Sequence, residues 1–171
     1  PSDVLISSNS GMTGVVNKFQ RILGLKLHER FRKRVELQPE ERPIVFVSHM
    51  EHHSNQTSWV ECLCDMEIVR RNEMGQPDHD HLREILQVNR HRKLLIGSFS
   101  ACSNVTGITT HYHEMAEIMH EYGGYCFVDF SASAPYVDIN MHPEKEEQRL
   151  DAIFFSPHKF LGGPGSPGII L

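Results

Sequence analysis

The most informative part of the sequence is residues 152–165, which run Ala-Ile-Phe-Phe-Ser-Pro-His-Lys-Phe-Leu-Gly-Gly-Pro-Gly. The apolar run that ends on the hydroxyl of Ser156 is typical of a buried strand. Lys159 follows this strand, and the glycines behind it allow the backbone to approach closely. A lysine held in such a place is expected to be partly desolvated, which favours the neutral, nucleophilic amine. An exposed lysine in a glycine turn is the alternative, and the residues alone leave both open.

Outward from this segment, short apolar runs alternate with amphipathic stretches. Strands are predicted over residues 4–7, 44–48, 66–69, 94–98, 125–129, 152–156 and 168–171. Helices are predicted before Gly24, over 54–62 with Ser54 as the cap, over 78–86 and over 112–122. Strands that alternate with helices predict an α/β fold, a mostly parallel sheet with helices on both faces.

Length, charge and cysteine content narrow the class of protein. The 171 residues suffice for one domain with a sizeable core, and a formal net charge of −5 argues against a nucleic-acid partner. Apolar runs stay below the roughly 18 residues that span a bilayer, so no membrane partner is expected. The start, Pro1-Ser2-Asp3, predicts no secretory signal. Four cysteines are too few for a disulfide scaffold and favour a reducing, cytoplasmic location.

Ligands of such sheets bind outside the carboxyl ends of the strands, where polar residues gather here. Asp129 ends an apolar strand and is expected to be buried, where a carboxylate needs a partner. That partner could be a protonated pyridine nitrogen, an arginine or a helix-end donor, and a structural cap is the alternative. Residues 11–13, Gly-Met-Thr, open a helix whose free N–H groups and hydroxyl suit a phosphate.

Together, these segments resemble the class V aminotransferase family of pyridoxal-phosphate enzymes, which includes cysteine desulfurases, selenocysteine lyases and isopenicillin-N-epimerase-like proteins. The matching segments are residues 11–13 with 17, 50–55 with 59, 103–107, 127–129, 154–159 and 162–165. In order, they are similar to the family's phosphate loop, its Glu-His-His-Ala-Asn segment, its Ser-Asn-Val-Leu-Gly segment and its lysine region. The resemblance covers nearly the whole chain.

The resemblance implies a role for each matched residue. Lys159 would form the Schiff base with pyridoxal phosphate and, once an amino-acid substrate displaces it, would move the proton at Cα. Asp129 would keep the pyridinium nitrogen protonated, so that the ring acts as an electron sink. His52 would stack on the ring, and Asn104 would hydrogen-bond its phenolic oxygen. The phosphate would be held by Thr13, Ser156, His158 and the backbone N–H groups near Met12 and Thr13.

The implied activity is a pyridoxal-phosphate-dependent reaction on a small amino acid, with carbon–sulfur or carbon–selenium cleavage favoured. Desulfurases usually carry a glutamine where this chain has Ala132, so epimerisation and transamination stay open. The chain also has Phe130, Met12 and Ser58 where the family commonly has glycine, threonine and proline.

Members of the family are much longer than this chain. Residues 1–171 are therefore expected to be the central part of the large, cofactor-binding domain, truncated at both ends and lacking the small C-terminal domain. That domain would supply the substrate-carboxylate arginine and, in desulfurases, the nucleophilic cysteine. The fragment itself is expected to be inactive, and the full-length protein to be a homodimer. The cysteines expected to lie in the core or in strands are Cys62, Cys64, Cys102 and Cys126.

Twelve histidines also raise a metal hypothesis, with clusters at residues 49–53, 78–81 and 111–113. None of them has a known ligand spacing such as His-Glu-x-x-His, so no metal ligands are assigned. Residues 78–81 are interpreted as a solvated helix start. A metal-dependent hydrolase that uses the histidine clusters remains one alternative. An inactive scaffold with a pyridoxal-phosphate fold is another, although the intact Lys159 and Asp129 argue against it.

Overall fold

Strands and helices alternate along residues 3–171, the part of the chain that the computed structural model describes. The strands are β1 (Ile6–Ser8), β2 (Ile44–Ser48), β3 (Asp65–Val69), β4 (Leu95–Ser100), β5 (Tyr125–Asp129), β6 (Ala152–Phe155) and β7 (Gly168–Ile170). The α-helices are α1 (Gly11–Ile22), α2 (Glu29–Arg32), α3 (His53–Val60), α4 (His79–Asn89) and α5 (Tyr112–Glu121). Single 3-10 turns cover Glu146–Gln148 and Pro157–Lys159. Pro1 and Ser2, on which the prediction about a secretory signal partly rests, lie outside the described residues.

The seven strands of this region form one sheet in the order β1-β7-β6-β5-β4-β2-β3. Neighbours from β3 to β6 run parallel, whereas β7 is antiparallel to β6 and β1 is antiparallel to β7. Parallel neighbours need a crossover connection, which α3, α4 and α5 supply between β2 and β5. The prediction of an α/β fold with a mostly parallel sheet is confirmed. Within residues 3–171, no helix has the length and apolar character needed to cross a membrane.

Helices cover both faces of the sheet, as the sequence predicts. Phe46 of β2 belongs to a core on one face, where it joins Met115 of α5 and the apolar residues of α4. Val47, the next residue along the strand, belongs to the core on the other face with Trp59 of α3 and the apolar residues of α1. Successive strand residues point to opposite faces, so the uninterrupted apolar run of β2 is buried on both.

Most predicted boundaries agree with the structure to within about three residues. Helix α1 ends just before Gly24, whose φ of 74° suits a glycine that stops a helix. The predicted cap of α3 is wrong. His52, not Ser54, is the cap residue, and its Nδ1 accepts a hydrogen bond from the N–H of Ser54 at 3.1 Å. The sequence does not predict helix α2, because its four residues lie in a charged stretch without apolar periodicity.

One carboxylate, that of Glu51, joins three elements at the carboxyl edge of the sheet. Its Oε1 accepts from the N–H and the Oγ of Ser48, at 3.1 and 2.6 Å, and from the N–H of Ser100 at 3.0 Å. Its Oε2 accepts from Ser100 Oγ at 2.7 Å and from Asn55 Nδ2 at 2.8 Å. Burial raises the pKa of the Glu51 carboxyl, and the hydrogen bonds counteract that shift. The ends of β2 and β4 and the start of α3 are thus held together immediately before His52.

Asn55 extends this network into the core. Its Nδ2 also donates to the carbonyl oxygen of Ser98 at 3.2 Å. Its Oδ1 accepts from Ser98 Oγ at 2.7 Å and from Trp59 Nε1 at 3.1 Å. Both ends of this fully buried amide therefore have partners, as a buried polar group requires.

We predict that Glu51→Ala destabilises the fold, because Ser48, Ser100 and Asn55 would lose their common acceptor. Buried donors left unsatisfied cost about 1–3 kcal/mol each, so the free energy of unfolding should fall by about 2–4 kcal/mol. Urea titration followed by circular dichroism measures the change. Glu73→Ala, which removes an exposed carboxylate, is the matched control and should shift the value by less than about 0.5 kcal/mol. Equal stability of Glu51→Ala and the wild type would contradict the role given to Glu51.

Candidate active site

Lys159 lies in the 3-10 turn that follows β6, and its side chain is exposed. The N–H of Lys159 donates to the carbonyl oxygen of Ser156 at 3.0 Å, which closes the turn. Gly163 packs directly behind, because a Cβ at that position would collide with the carbonyl oxygen of Pro157. The glycines therefore hold the turn closely, as the sequence indicates. Of the two states that the residues left open for Lys159, the described structure has the exposed one, since the side chain faces solvent there.

Asp129 is buried at the end of β5, as the sequence predicts, with 4% of its surface exposed. Its hydrogen bonds within the described residues come from Ser131, whose N–H donates to Oδ1 at 2.8 Å. No lysine or arginine forms an ion pair with it in that part of the chain. Burial raises the pKa of the Asp129 carboxyl, against the lowering effects of Ser131, Lys159 and His52. This carboxylate is thus a buried acceptor with one N–H donor and, within the described residues, no ion pair.

His52 is positioned by the helix that it caps. Its Nδ1 lies 2.8 Å from Ser54 Oγ, in addition to accepting the N–H of Ser54. Glu51, the residue before it, belongs to the network that fixes α3 against the sheet. The backbone on both sides of His52 is therefore held, while the imidazole itself stays exposed.

Lys159, Asp129, His52 and Asn104 line one small cleft at the carboxyl edge of the sheet. Asp129 ends β5 and the other three lie in the segments that follow β2, β4 and β6, which the parallel strands bring to the same edge. The remaining walls of the cleft are formed by Ser100, Cys102, Ser131 and Ala132. The sequence-predicted catalytic residues are therefore neighbours in space, and their chemical roles stay predictions.

The start of α1 lies against the segment that carries Lys159. The N–H of Met12 donates to Ser156 Oγ at 2.8 Å, across 144 positions of sequence. Gly11 has a φ of 62°, and a Cβ there would press on the imidazole of His158 and on Ser156 Oγ. Ser10 provides no side-chain cap, and the first turn of α1 contains no acidic residue. Thr13 is exposed in that turn, so this helix start is open to an anion.

The chemistry of these residues suits the groups of pyridoxal phosphate. The buried Asp129 suits a cationic ring nitrogen, because within the described residues it accepts one N–H and forms no ion pair. The uncapped start of α1, next to Ser156 and His158, suits a phosphate. Lys159 lies between these two groups in the fold, since it directly follows His158 and shares the cleft with Asp129.

The sequence does not indicate the positions of two residues in this region. It predicts Cys102 in the core or a strand, whereas Cys102 is only partly buried and lines the cleft. Cys62, Cys64 and Cys126 are buried, as expected. Glu51 stands in a matched segment, but its hydrogen bonds to two strands depend on tertiary contacts that no local pattern signals.

The model of the family described as Aminotransferase class-V matches residues 32–169. A cysteine desulfurase of Haloferax volcanii is 28% identical over 125 residues, which are 71% of this chain and 28% of that protein. The chain therefore spans less than a third of the length of this relative.

Solved structures share the fold. A NifS-like protein from Rickettsia africae superposes with a TM-score of 0.71 at 19% identity, over 97% of this chain and 39% of that one. The cysteine desulfurase CsdA from Escherichia coli gives a TM-score of 0.70 at 22% identity, over 97% of this chain and 37% of that one. At these identities the likeness supports the fold. Since the family model spans most of the sequence, the chain belongs to the class V aminotransferase family.

Proposed function

We propose that this chain is the cofactor-binding part of a pyridoxal-phosphate-dependent enzyme that cleaves the carbon–sulfur or carbon–selenium bond of a small amino acid. The observation that carries the proposal is the buried Asp129, which forms no ion pair within the described residues, in one cleft with the amine of Lys159. The choice of bond is supported by relatives that are named cysteine desulfurases. The chain covers 28% of its Haloferax relative, so the groups that select the substrate are assigned to the rest of the protein.

Pyridoxal phosphate, when bound, supplies an electron sink for negative charge at the substrate Cα. Asp129 would face the ring nitrogen and keep a proton on it, since a buried carboxylate favours a cationic neighbour. Ser131 orients the Asp129 carboxylate through its N–H. His52 and Asn104, both in the wall of the cleft, would bind the ring face and the phenolic oxygen.

Phosphate binding is assigned to the start of α1 and the turn after β6. The hydroxyl of Ser156 accepts from Met12 N–H, so its own proton is free to donate to a phosphate oxygen. Thr13 and His158 are exposed on either side of this contact. Helix α1 adds the partial positive charge of its uncapped end.

Lys159 would hold the cofactor and then move a proton. Its amine is tethered to a closed turn, so it stays near the cleft after an amino group of the substrate replaces it. A free amine at that position can accept or deliver the proton at the substrate Cα.

The whole protein is proposed to be a cytoplasmic homodimer. Four cysteines without a disulfide suit a reducing compartment. Three large apolar side chains near the cleft residues in sequence are exposed in the single chain. Such exposure is expected of residues that a second copy covers in a dimer. The three side chains are Val105, Tyr136 and Leu161.

The direct test is covalent trapping. The chain is incubated with pyridoxal phosphate, reduced with borohydride and mapped by peptide mass spectrometry. We expect a visible absorption band before reduction and a pyridoxyl group on Lys159 afterwards, and Lys159→Ala should lose both. Lys18→Ala, at an exposed lysine of α1, should keep both. Absence of the group from Lys159, in this chain and in a longer form of the protein, would contradict the proposal.

The unusual state of Asp129 predicts a pH effect on stability. Burial raises its pKa in the folded chain, so its contribution to stability is complete below the unfolded-state value of about 3.9 and is lost as pH rises through the folded value. The side chain introduced by Asp129→Asn carries no charge at any pH. The free energy of unfolding of the wild type, minus that of Asp129→Asn, should therefore fall as pH rises from about 4 through the folded-state pKa, by about 1.4 kcal/mol per unit of pKa separation.

Urea unfolding at a series of pH values measures this difference. Asp138→Asn, at an exposed aspartate, is the matched control and should follow the wild-type profile in parallel. A difference between wild type and Asp129→Asn that stays constant with pH would contradict the burial argument.

Cys102 offers a chemical probe of the cleft. Because the other three cysteines are buried, iodoacetamide should modify Cys102 first in the folded chain. Pyridoxal phosphate should slow this modification in proportion to the fraction of chain that carries it, and Lys159→Ala should remove the protection. Mass spectrometry of the alkylated peptides follows the rate. Unchanged labelling of Cys102 in a chain with the pyridoxyl group on Lys159 would mean that the cofactor does not enter this cleft.

A further inference from the structure

Two histidines and a glutamate meet where α4 and α5 begin, away from the residues of the cleft. His79 is the first residue of α4, His111 directly precedes α5 and Glu114 lies in the first turn of α5. Their potential ligand atoms all lie within 4.8 Å of one another. Glu114 Oε2 is 3.5 Å from His79 Nδ1 and 3.8 Å from His111 Nδ1.

These separations suit one small ion held in common. Zinc bonds imidazole nitrogen and carboxylate oxygen at about 2.0–2.2 Å, which places two ligands of a tetrahedron about 3.3–3.6 Å apart. The two distances from Glu114 lie within a small side-chain rotation of that range. We propose that His79, His111 and Glu114 form a binding site for a divalent transition-metal ion, with zinc the best match and solvent at the remaining position.

The donor atoms are of the kinds that zinc binds, two imidazole nitrogens and one carboxylate oxygen. The alternative for the same atoms is a pair of His–Glu ion pairs, which needs protonated histidines. Zinc needs the neutral rings, so a zinc titration distinguishes the two arrangements.

The surrounding charges also bear on a cation at this place. The partial positive charges at the starts of α4 and α5 disfavour a cation. They are smaller than a full charge, and their effect falls off within one turn. Glu114 supplies a full negative charge, and Asp78 and Asp80 stand beside His79. Arg83, the neighbouring cation on α4, is engaged with Glu121 at 3.4 Å. Glu114 is therefore the negative charge that directly faces both histidines.

A metal ion here would have a structural consequence. Helices α4 and α5 pack side by side over the same face of the sheet and share one core. The ion would join their first turns across a solvent-exposed edge, and its binding energy would add to the stability of the folded chain. The local patterns of the sequence do not signal the site, because each histidine cluster supplies only one of its histidine ligands.

Zinc titration of the chelator-treated chain, by calorimetry, tests the proposal, with histidine NMR to identify the imidazoles that respond. We expect one zinc ion to shift the resonances of His79 and His111 and to raise the unfolding temperature. His79→Ala, His111→Ala and the conservative Glu114→Gln should each weaken binding at least about tenfold. His91→Ala, at an exposed histidine outside the cluster, should bind zinc like the wild type.

Two results would overturn the site. One is zinc binding that survives in both His79→Ala and His111→Ala, which would place the ion elsewhere in the chain. The other is the absence of binding by the wild type at millimolar zinc. Circular dichroism of each variant confirms that the helices are retained. Since none of these residues lines the cleft, the outcome is independent of pyridoxal-phosphate binding.

Discussion

The carboxylate of Glu51 is the contact on which the carboxyl edge of the sheet depends. Removing an ionised carboxylate from water costs several kcal/mol, and five hydrogen bonds from Ser48, Ser100 and Asn55 counteract part of that cost. In return, Glu51 is the common acceptor of these donors, and each buried donor left unsatisfied would cost about 1–3 kcal/mol. Since Ser48 and Ser100 end two neighbouring parallel strands, the network also sets the separation of the loops that follow them. His52, one residue beyond Glu51, takes its place in the cleft from this arrangement.

Asp129 lies at the same edge of the sheet as Glu51 but has far fewer hydrogen-bond donors. It is as buried as the serines of the Glu51 network, yet within the described residues its hydrogen bonds come from Ser131 alone. A protein that needed a structural carboxylate there would surround it with donors, as it does for Glu51. A buried charge left short of partners is typical of a binding site, where the ligand supplies the missing interaction. The contrast between two neighbouring carboxylates therefore separates the part of the edge that holds the fold from the part that faces the ligand.

The sequence predicts those features that depend on local pattern. Apolar runs that end in residues such as Asp129 or Ser156 predict the strands and the residues at the carboxyl ends of those strands. The alternation of these strands with helices predicts the fold class. Features that depend on distant neighbours were missed or wrong. The exposure of Lys159 depends on what covers the turn, and the cap of α3 depends on a histidine ring that can accept the N–H of Ser54. The meeting of His79 with His111 requires the helices to be packed before their ligand atoms can be compared.

The exposure of Lys159 also constrains how the complete site is formed. Chemistry at an amine in a cleft gains from excluding water, because electrostatic interactions weaken in a high dielectric. The described chain does not exclude water there, and Val105, Tyr136 and Leu161 around the same loops are 83%, 82% and 107% exposed. Burying these side chains against another surface would be favourable in itself, at about 25 cal/mol for each Å² of apolar area removed from water. If the second copy of the proposed homodimer covered these side chains and the turn after β6, the same contact would exclude water from Lys159. The desolvation that the lysine lacks in the described chain would then come from the partner.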